Sequence, residues 1–123
     1  MPGTNLVVVV VVDDDNAVRN SLEFSLGVDG FTVHSYADGD ELLAADNLTS
    51  CDCLVIDQKL PGMSGLDLIG LLRKRQIDAP AILITSHPSR ELSERAARAG
   101  VPIVEKPLLG NGLSEMIRAV VGT

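Results

Sequence analysis

The sequence predicts an α/β domain: an open, five-stranded parallel sheet with helices packed on both faces. Short apolar runs alternate five times with segments of helical period along the 123 residues. The first run, Leu6 to Val12, is almost entirely Val, which suits a strand buried on both faces, as in a parallel sheet covered by helices. Four of the five runs end in polar groups, at the place where such sheets bind ligands.

The elements follow in order. After the first strand, Val18, Leu22 and Leu26 recur at helical spacing, with Asp15 or Asn16 as N-cap and Gly27 and Gly30 as stop signals. Phe31 to Tyr36 reads as the second strand and Asp40 to Ala45 as a short second helix. Cys53 to Ile56 is the third strand and runs directly into Asp57; Pro61 and Gly62 then mark a loop before a helix from Leu66 to Arg73. Ala81 to Thr85, bounded by Pro80 and Pro88, is the fourth strand, and Glu91 to Ala99 a helix ended by Gly100. Ile103 to Glu105 is a brief fifth strand. Leu113 to Val121 closes the chain as a helix with Leu113, Ile117 and Val120 on one face. In the flavodoxin-like order 2-1-3-4-5 these five units make a three-layer sandwich whose switch point lies between strands one and three.

Composition narrows the function. Residues 1–123 have the length of one domain, with hydrophobic residues at 46% and charged ones at 22%, enough to bury a core without help. Aromatics are only 2%, so stacking of bases on an aromatic platform is not expected. A formal charge of -7 disfavours nucleic acid and anionic membranes as partners of this domain. The apolar run Leu6 to Val12 is too short to cross a bilayer or to form a signal-peptide core, so a soluble cytoplasmic protein is expected. Cys51 and Cys53 read as buried structural residues on opposite sides of the sheet, unsuited to a disulfide.

The strand ends carry the chemistry. Strand one ends in Asp13, Asp14 and Asp15, strand three in Asp57, strand four in Thr85 and Ser86, strand five in Glu105 and Lys106. Clustered carboxylates repel unless solvated or bound to a cation, and Mg2+ is the natural partner of oxygen ligands of this kind. Asp14 is then the best direct ligand, with Asp13 acting directly or through water and Asp57 supplying both an oxygen and a carboxylate nucleophile. Lys106 would neutralise charge on a transferring phosphoryl group, and the Thr85 hydroxyl could donate to it once attached. Each residue alone has an ordinary reading as a turn, cap, packing or surface residue; their conjunction at strand ends points to phosphoryl chemistry. His34 reads as a partly exposed structural residue, and His87 as a loop residue near the site.

These residues carry a resemblance. The motifs Val11-Val12-Asp13-Asp14-Asp15, Asp57-Gln58-Lys59-Leu60-Pro61-Gly62-Met63-Ser64-Gly65, Thr85-Ser86 and Lys106-Pro107, in that order, resemble the receiver domains of bacterial two-component response regulators from Leu6 to Val121. The resemblance implies that Asp57 accepts a phosphoryl group from a sensor histidine kinase. Asp13, Asp14, Asp57 and the backbone carbonyl of Lys59 would surround a Mg2+ ion. Lys106 would pair with the phosphoryl group, Thr85 and Ser86 would bind it, and the Lys106-Pro107 bond would be cis. It further implies a regulator with slow self-catalysed dephosphorylation, not a dedicated enzyme, tuned by Lys59 and His87 two positions after the acceptor and the switch Thr. A shift at the face of the fourth helix, fifth strand and fifth helix would alter binding to a downstream target or output domain, or homodimerisation.

The chain departs from the family at three points: Gly100 to Lys106 is one residue short, Ile103 stands where many relatives carry an aromatic switch residue, and Leu108 replaces a common Phe. With the chain ending just after the last helix, it is expected either to stand alone or to be a fragment whose output domain is absent. Two other readings compete. One is a receiver-like interaction module that is never phosphorylated. The other is a haloacid-dehalogenase-type phosphohydrolase with Asp13 as nucleophile and Asp15 as acid-base, for which Glu115 is the only acid after Lys106.

Overall fold

The structure, a computed structural model, describes residues 6–45, 48–108 and 110–122. Strands β1 (Val8–Val12), β2 (Thr32–Tyr36), β3 (Cys53–Asp57), β4 (Ala81–Thr85) and β5 (Ile103–Glu105) alternate with helices α1 (Asn16–Val28), α2 (Gly39–Leu43), α3 (Gly65–Lys74), α4 (Arg90–Arg98) and α5 (Gly112–Val121). All strand pairs are parallel, in the order β2-β1-β3-β4-β5, which is the arrangement the alternation of elements predicts.

The central strands show why they read as unbroken apolar runs. Successive side chains leave opposite faces of a strand, and here both faces are covered. Val10, Val12, Leu54, Ile56, Ala81 and Leu83 enter one core layer with Leu42 of α2, Leu68 and Leu72 of α3 and Ala96 of α4. Val9, Val11, Cys53, Val55, Ile82 and Ile84 enter the other with Leu22 and Leu26 of α1 and Leu113 and Ile117 of α5. The Arg118 guanidinium lies 5.2 Å from the centre of the Phe31 ring and donates to the Asp29 carbonyl at 3.1 Å, tying α5 to the end of α1.

Several boundaries differ from the sequence reading. The first strand starts at Val8 because its pairing with β2 begins opposite Thr32; Leu6 precedes it and is exposed. Gly27 does not stop α1, which runs through it to Val28; Gly30, at φ +96°, is the residue that lets the chain leave, with the Phe31 N–H returning to the Leu26 carbonyl. A single 3-10 turn, Leu48–Ser50, precedes β3 and carries no periodic signal. Helices α2 and α4 each begin one residue earlier than expected, where Asp38 and Ser89 accept the N-cap hydrogen bonds, and they end earlier too. Cys51 and Cys53 are both free and buried, one in each core layer. Two residues of one strand at that spacing would share a face; the pair is split because Cys51 lies before β3. Burial holds both thiols protonated, with pKa values pushed up to about 11 and about 12.

Gly65 links fold and site. A Cβ there would collide with the carbonyl oxygen of Asp57, so α3 starts directly beneath the end of β3 only because the residue has no side chain. Ser64 caps α3 through the Asp67 N–H, and the Gln58 side-chain oxygen accepts from the Leu66 N–H. Gly65→Ala should therefore lower stability by about 1–3 kcal/mol through overpacking, read as a lower midpoint in urea denaturation with unchanged slope.

Candidate functional site

The ends of three strands meet at one place. Strands β1 and β3 are neighbours, with Val12 paired to Ile56, so Asp13 and Asp57 emerge side by side at the C-terminal edge of the sheet. Asp13 is fully buried, Asp57 is 5% exposed and Asp14 is exposed. Each of the three offers a carboxylate oxygen, and these oxygens lie within 4.8 Å of one another. From the far side Lys106 reaches in from the end of β5: its Nζ lies 3.2 Å from Asp13 Oδ2 and 3.4 Å from Asp57 Oδ1.

The electrostatics follow from this packing. Burial and the neighbouring Asp13 carboxylate push the Asp57 pKa above its ordinary value, against the pull of Lys106 and of the Lys59 backbone N–H. For Lys106, burial works against the ammonium, but the attraction of Asp57 and Asp13 outweighs it and raises its pKa. The ammonium therefore stays charged at neutral pH. Two of the three clustered carboxylates pair with this one cation, and the surplus negative charge together with an all-oxygen donor set fits a small, hard divalent cation such as Mg2+.

Other residues build the frame. Asp13 Oδ1 accepts the Asp15 N–H at 2.9 Å, which folds the loop after β1 back over the buried carboxylate. Asp15 itself caps α1, its Oδ1 accepting from the Ala17 and Val18 N–H groups at 2.9 and 3.4 Å. Its exposed carboxylate is thus committed to the helix, which argues against an acid-base role. Arg19, which sequence reasoning missed, donates from Nη1 to the Asp13 carbonyl at 2.6 Å and from Nη2 to Asn16 Oδ1 at 2.9 Å. Its position one turn into α1 behind the acidic run was the available signal.

The remaining sequence-predicted residues are more scattered. Thr85 is buried at the end of β4, where its carbonyl accepts the Lys106 N–H at 2.9 Å. Ser86 and His87 are exposed, and with Lys106, Pro107 and Leu108 they line a 710 Å³ groove against Ala17, Val18 and Leu22 of α1. Lys59 is exposed on the loop after Asp57 and makes an isolated backbone bridge to Ser64. The Lys106-Pro107 bond is cis. Ile103 is half-buried on the α4 side of the sheet, paired with Leu83. His34 is exposed on β2, at the edge of the sheet away from Lys106 and β5. Among the described residues no helix is long and apolar enough to cross a membrane.

Comparison with known proteins agrees with this geometry. Residues 9–118 match the family model of the response regulator receiver domain. The transcriptional regulatory protein FixJ of Bradyrhizobium diazoefficiens is 33% identical over 114 residues, which cover 92% of this chain and 56% of that protein. The response regulator protein TodT of Pseudomonas putida is 33% identical over 113 residues, covering 91% of this chain and 50% of that protein. The chain thus spans about half the length of the curated relatives it matches. A CheY-like response regulator receiver domain protein from Methanospirillum hungatei has a similar structure, with a TM-score of 0.86 at 28% identity over 96% of this chain and 95% of that one. The response regulator TrrA of Thermotoga maritima, solved in complex with Mg2+-BeF, gives a TM-score of 0.81 at 27% identity, covering 94% and 99% of the two chains.

A raised carboxylate pKa means that ionising Asp57 costs folding stability. That cost is fully present above the raised folded-state pKa and absent below the ordinary value of 3.8. In chelator-containing buffer Asp57→Asn should be more stable than the parent at neutral pH. The advantage should fade as pH falls through the raised pKa and vanish below the ordinary value, as read from urea denaturation across that range.

Proposed function

The chain belongs to the response regulator receiver domain family, and on that premise we propose that Asp57 accepts a phosphoryl group from a sensor histidine kinase. One observation carries the reading: two buried carboxylates, a third exposed one and a charged lysine converge at the sheet edge. A receiver domain is a signalling module, and this site supplies what a self-catalysed phosphotransfer needs.

In the proposed reaction an Asp57 carboxylate oxygen attacks phosphorus in line with the bond to the donor imidazole. The new O–P bond forms as the N–P bond breaks, and the imidazole leaves with the electron pair. Lys106 keeps its proton throughout and offsets charge on the phosphoryl oxygens. Asp13, Asp14, Asp57 and the Lys59 carbonyl would hold a Mg2+ ion, which supplies further charge neutralisation there. Arg19 holds the Asp13 main chain so that the buried carboxylate keeps its direction. Thr85 and Ser86 offer hydroxyl donors to the attached group, and their movement toward it would alter the face of α4, β5 and α5, changing the binding of a target, an output domain or a second copy. With Ile103 at the aromatic position, that change proceeds without a rotating ring. The absence of a described membrane-crossing helix and the role of kinase substrate are compatible with a cytoplasmic location.

Incubation with acetyl phosphate and Mg2+ should add one phosphoryl group to the intact mass. The adduct should require Mg2+, disappear in Asp57→Asn and form far more slowly in Asp13→Asn. Absence of any adduct on a folded chain would sink this reading in favour of an unphosphorylated interaction module. Steady phosphate release that depends on Asp13 would favour the hydrolase. Lys59→Ala and His87→Ala should each change the rate at which the adduct decays, followed by the same mass measurement; unchanged decay removes the tuning role from that residue.

A further inference from the structure

The basic residues of this acidic chain are unevenly placed. Residues 65–98 carry six of the ten Lys and Arg against four Asp and Glu, a net of +2, while the remainder of the chain carries a net of -9. Three of the six line a shallow groove of 410 Å³ between α3 and α4, whose floor includes Ile69, Gly70 and Ala99 and whose rim is Arg73, Arg95 and Arg98.

The three guanidinium groups are available to a ligand to different degrees. Arg73 Nη1 donates to the Ile77 and Ala79 carbonyls, both at 2.8 Å, which fixes the group while leaving its other N–H donors uncommitted. Arg95 reaches Asp67 at 3.5 Å with both side chains about half exposed or more, a pairing that solvent screens and a better acceptor displaces. Arg98 makes no hydrogen bond or ion pair among the described residues, although Glu94 lies one turn before it on α4. Gly70 completes the groove. A glycine inside a helix costs about 1 kcal/mol relative to Ala, yet nothing lies within 4 Å of the place its Cβ would take, so no packing contact of α3 requires it. Its effect is to leave the groove open.

We propose that the α3–α4 groove docks an acidic amphipathic segment of a partner protein. Apolar side chains of the segment would lie on Ile69, Gly70 and Ala99, and its carboxylates would pair with Arg73, Arg95 and Arg98. The shallow, open shape does not enclose a small molecule, which needs most of its surface buried. The strong negative charge elsewhere on the chain opposes a nucleic-acid backbone. The observations behind the proposal do not involve Asp57 or its phosphorylation.

A phage library of random peptides of about 16 residues, panned on the whole chain, tests it, with synthetic copies of the selected peptides measured by fluorescence anisotropy. The selected peptides should combine Leu, Ile or Phe with Asp and Glu at helical spacing, and their binding should weaken with salt. Gly70→Leu, whose Cβ has nothing within 4 Å and whose side chain would occupy the groove, and Arg98→Glu, which breaks no contact, should each weaken binding by about tenfold or more. Lys74→Glu and Arg90→Glu, outside the groove lining, should change it little. Circular dichroism of each variant checks that the fold is intact. Peptides without acidic residues, or binding that Gly70→Leu leaves unchanged, would overturn the proposal. Tighter Arg98-dependent binding of a short DNA duplex than of any selected peptide would replace it with a nucleic-acid surface.

Discussion

The lysine at the end of β5 is the cation on which the site depends. Asp13 and Asp57 are buried side by side at the ends of adjacent strands, an arrangement that costs free energy because each carboxylate loses water and faces a like charge. Lys106 lies within 3.4 Å of an oxygen of both and is partly exposed itself, so its ammonium offsets their repulsion without a full desolvation cost of its own. It comes from β5 at the edge of the sheet, with β4 between it and β3. The position of the strand and of the loop after it is thereby coupled to the charge state of the pair. Any event that alters the charge on Asp57 changes what Lys106 is attracted to.

The parallel sheet makes this arrangement inevitable once the strands are in order. A parallel strand begins at one edge and ends at the other, so every strand end collects at a single edge. Five buried residues in each of β3 and β4 and four in β1 anchor these ends through two separate core layers. The stability of the domain therefore lies in the Val, Ile and Leu side chains beneath. The polar groups above can be chosen for chemistry, which is why a fold this apolar tolerates an acidic cluster that one lysine only partly compensates.

That separation also explains what was legible in the sequence. The apolar runs announced the strands, and their abrupt ends in Asp13, Asp57, Thr85 and Lys106 pointed to the candidate site, because a polar group following a buried strand has few other places to go. Residues acting through backbone groups were not legible. Arg19 serves the site by holding a carbonyl, and its place one turn into α1 is only a faint signal, because an arginine there is equally an ordinary surface residue. Gly65 and Gly27 look alike as letters, but one sits against the Asp57 carbonyl and the other faces open space within a helix, and only three-dimensional packing distinguishes them. The arginine groove was invisible for a related reason: its rim comes from two helices with a strand between them, so no window of sequence holds it.

The two helices of that groove are anchored very differently. Helix α3 buries Gly65, Leu66, Leu68, Ile69 and Leu72, whereas α4 buries only Ala96 and half-buries Leu92. With so little apolar area removed from water, α4 opens or shifts at a lower free-energy cost than its neighbour. It also follows β4 through Ser86, His87 and Pro88, so the loosest described long helix is joined directly to the strand end that carries Thr85. A segment bridging Arg73 of α3 to Arg98 of α4 would fasten the lightly anchored helix to the well-anchored one. Occupancy of the groove and rearrangement at the site would then draw on the same small free energy, that of moving α4, and each would change the other by the same factor.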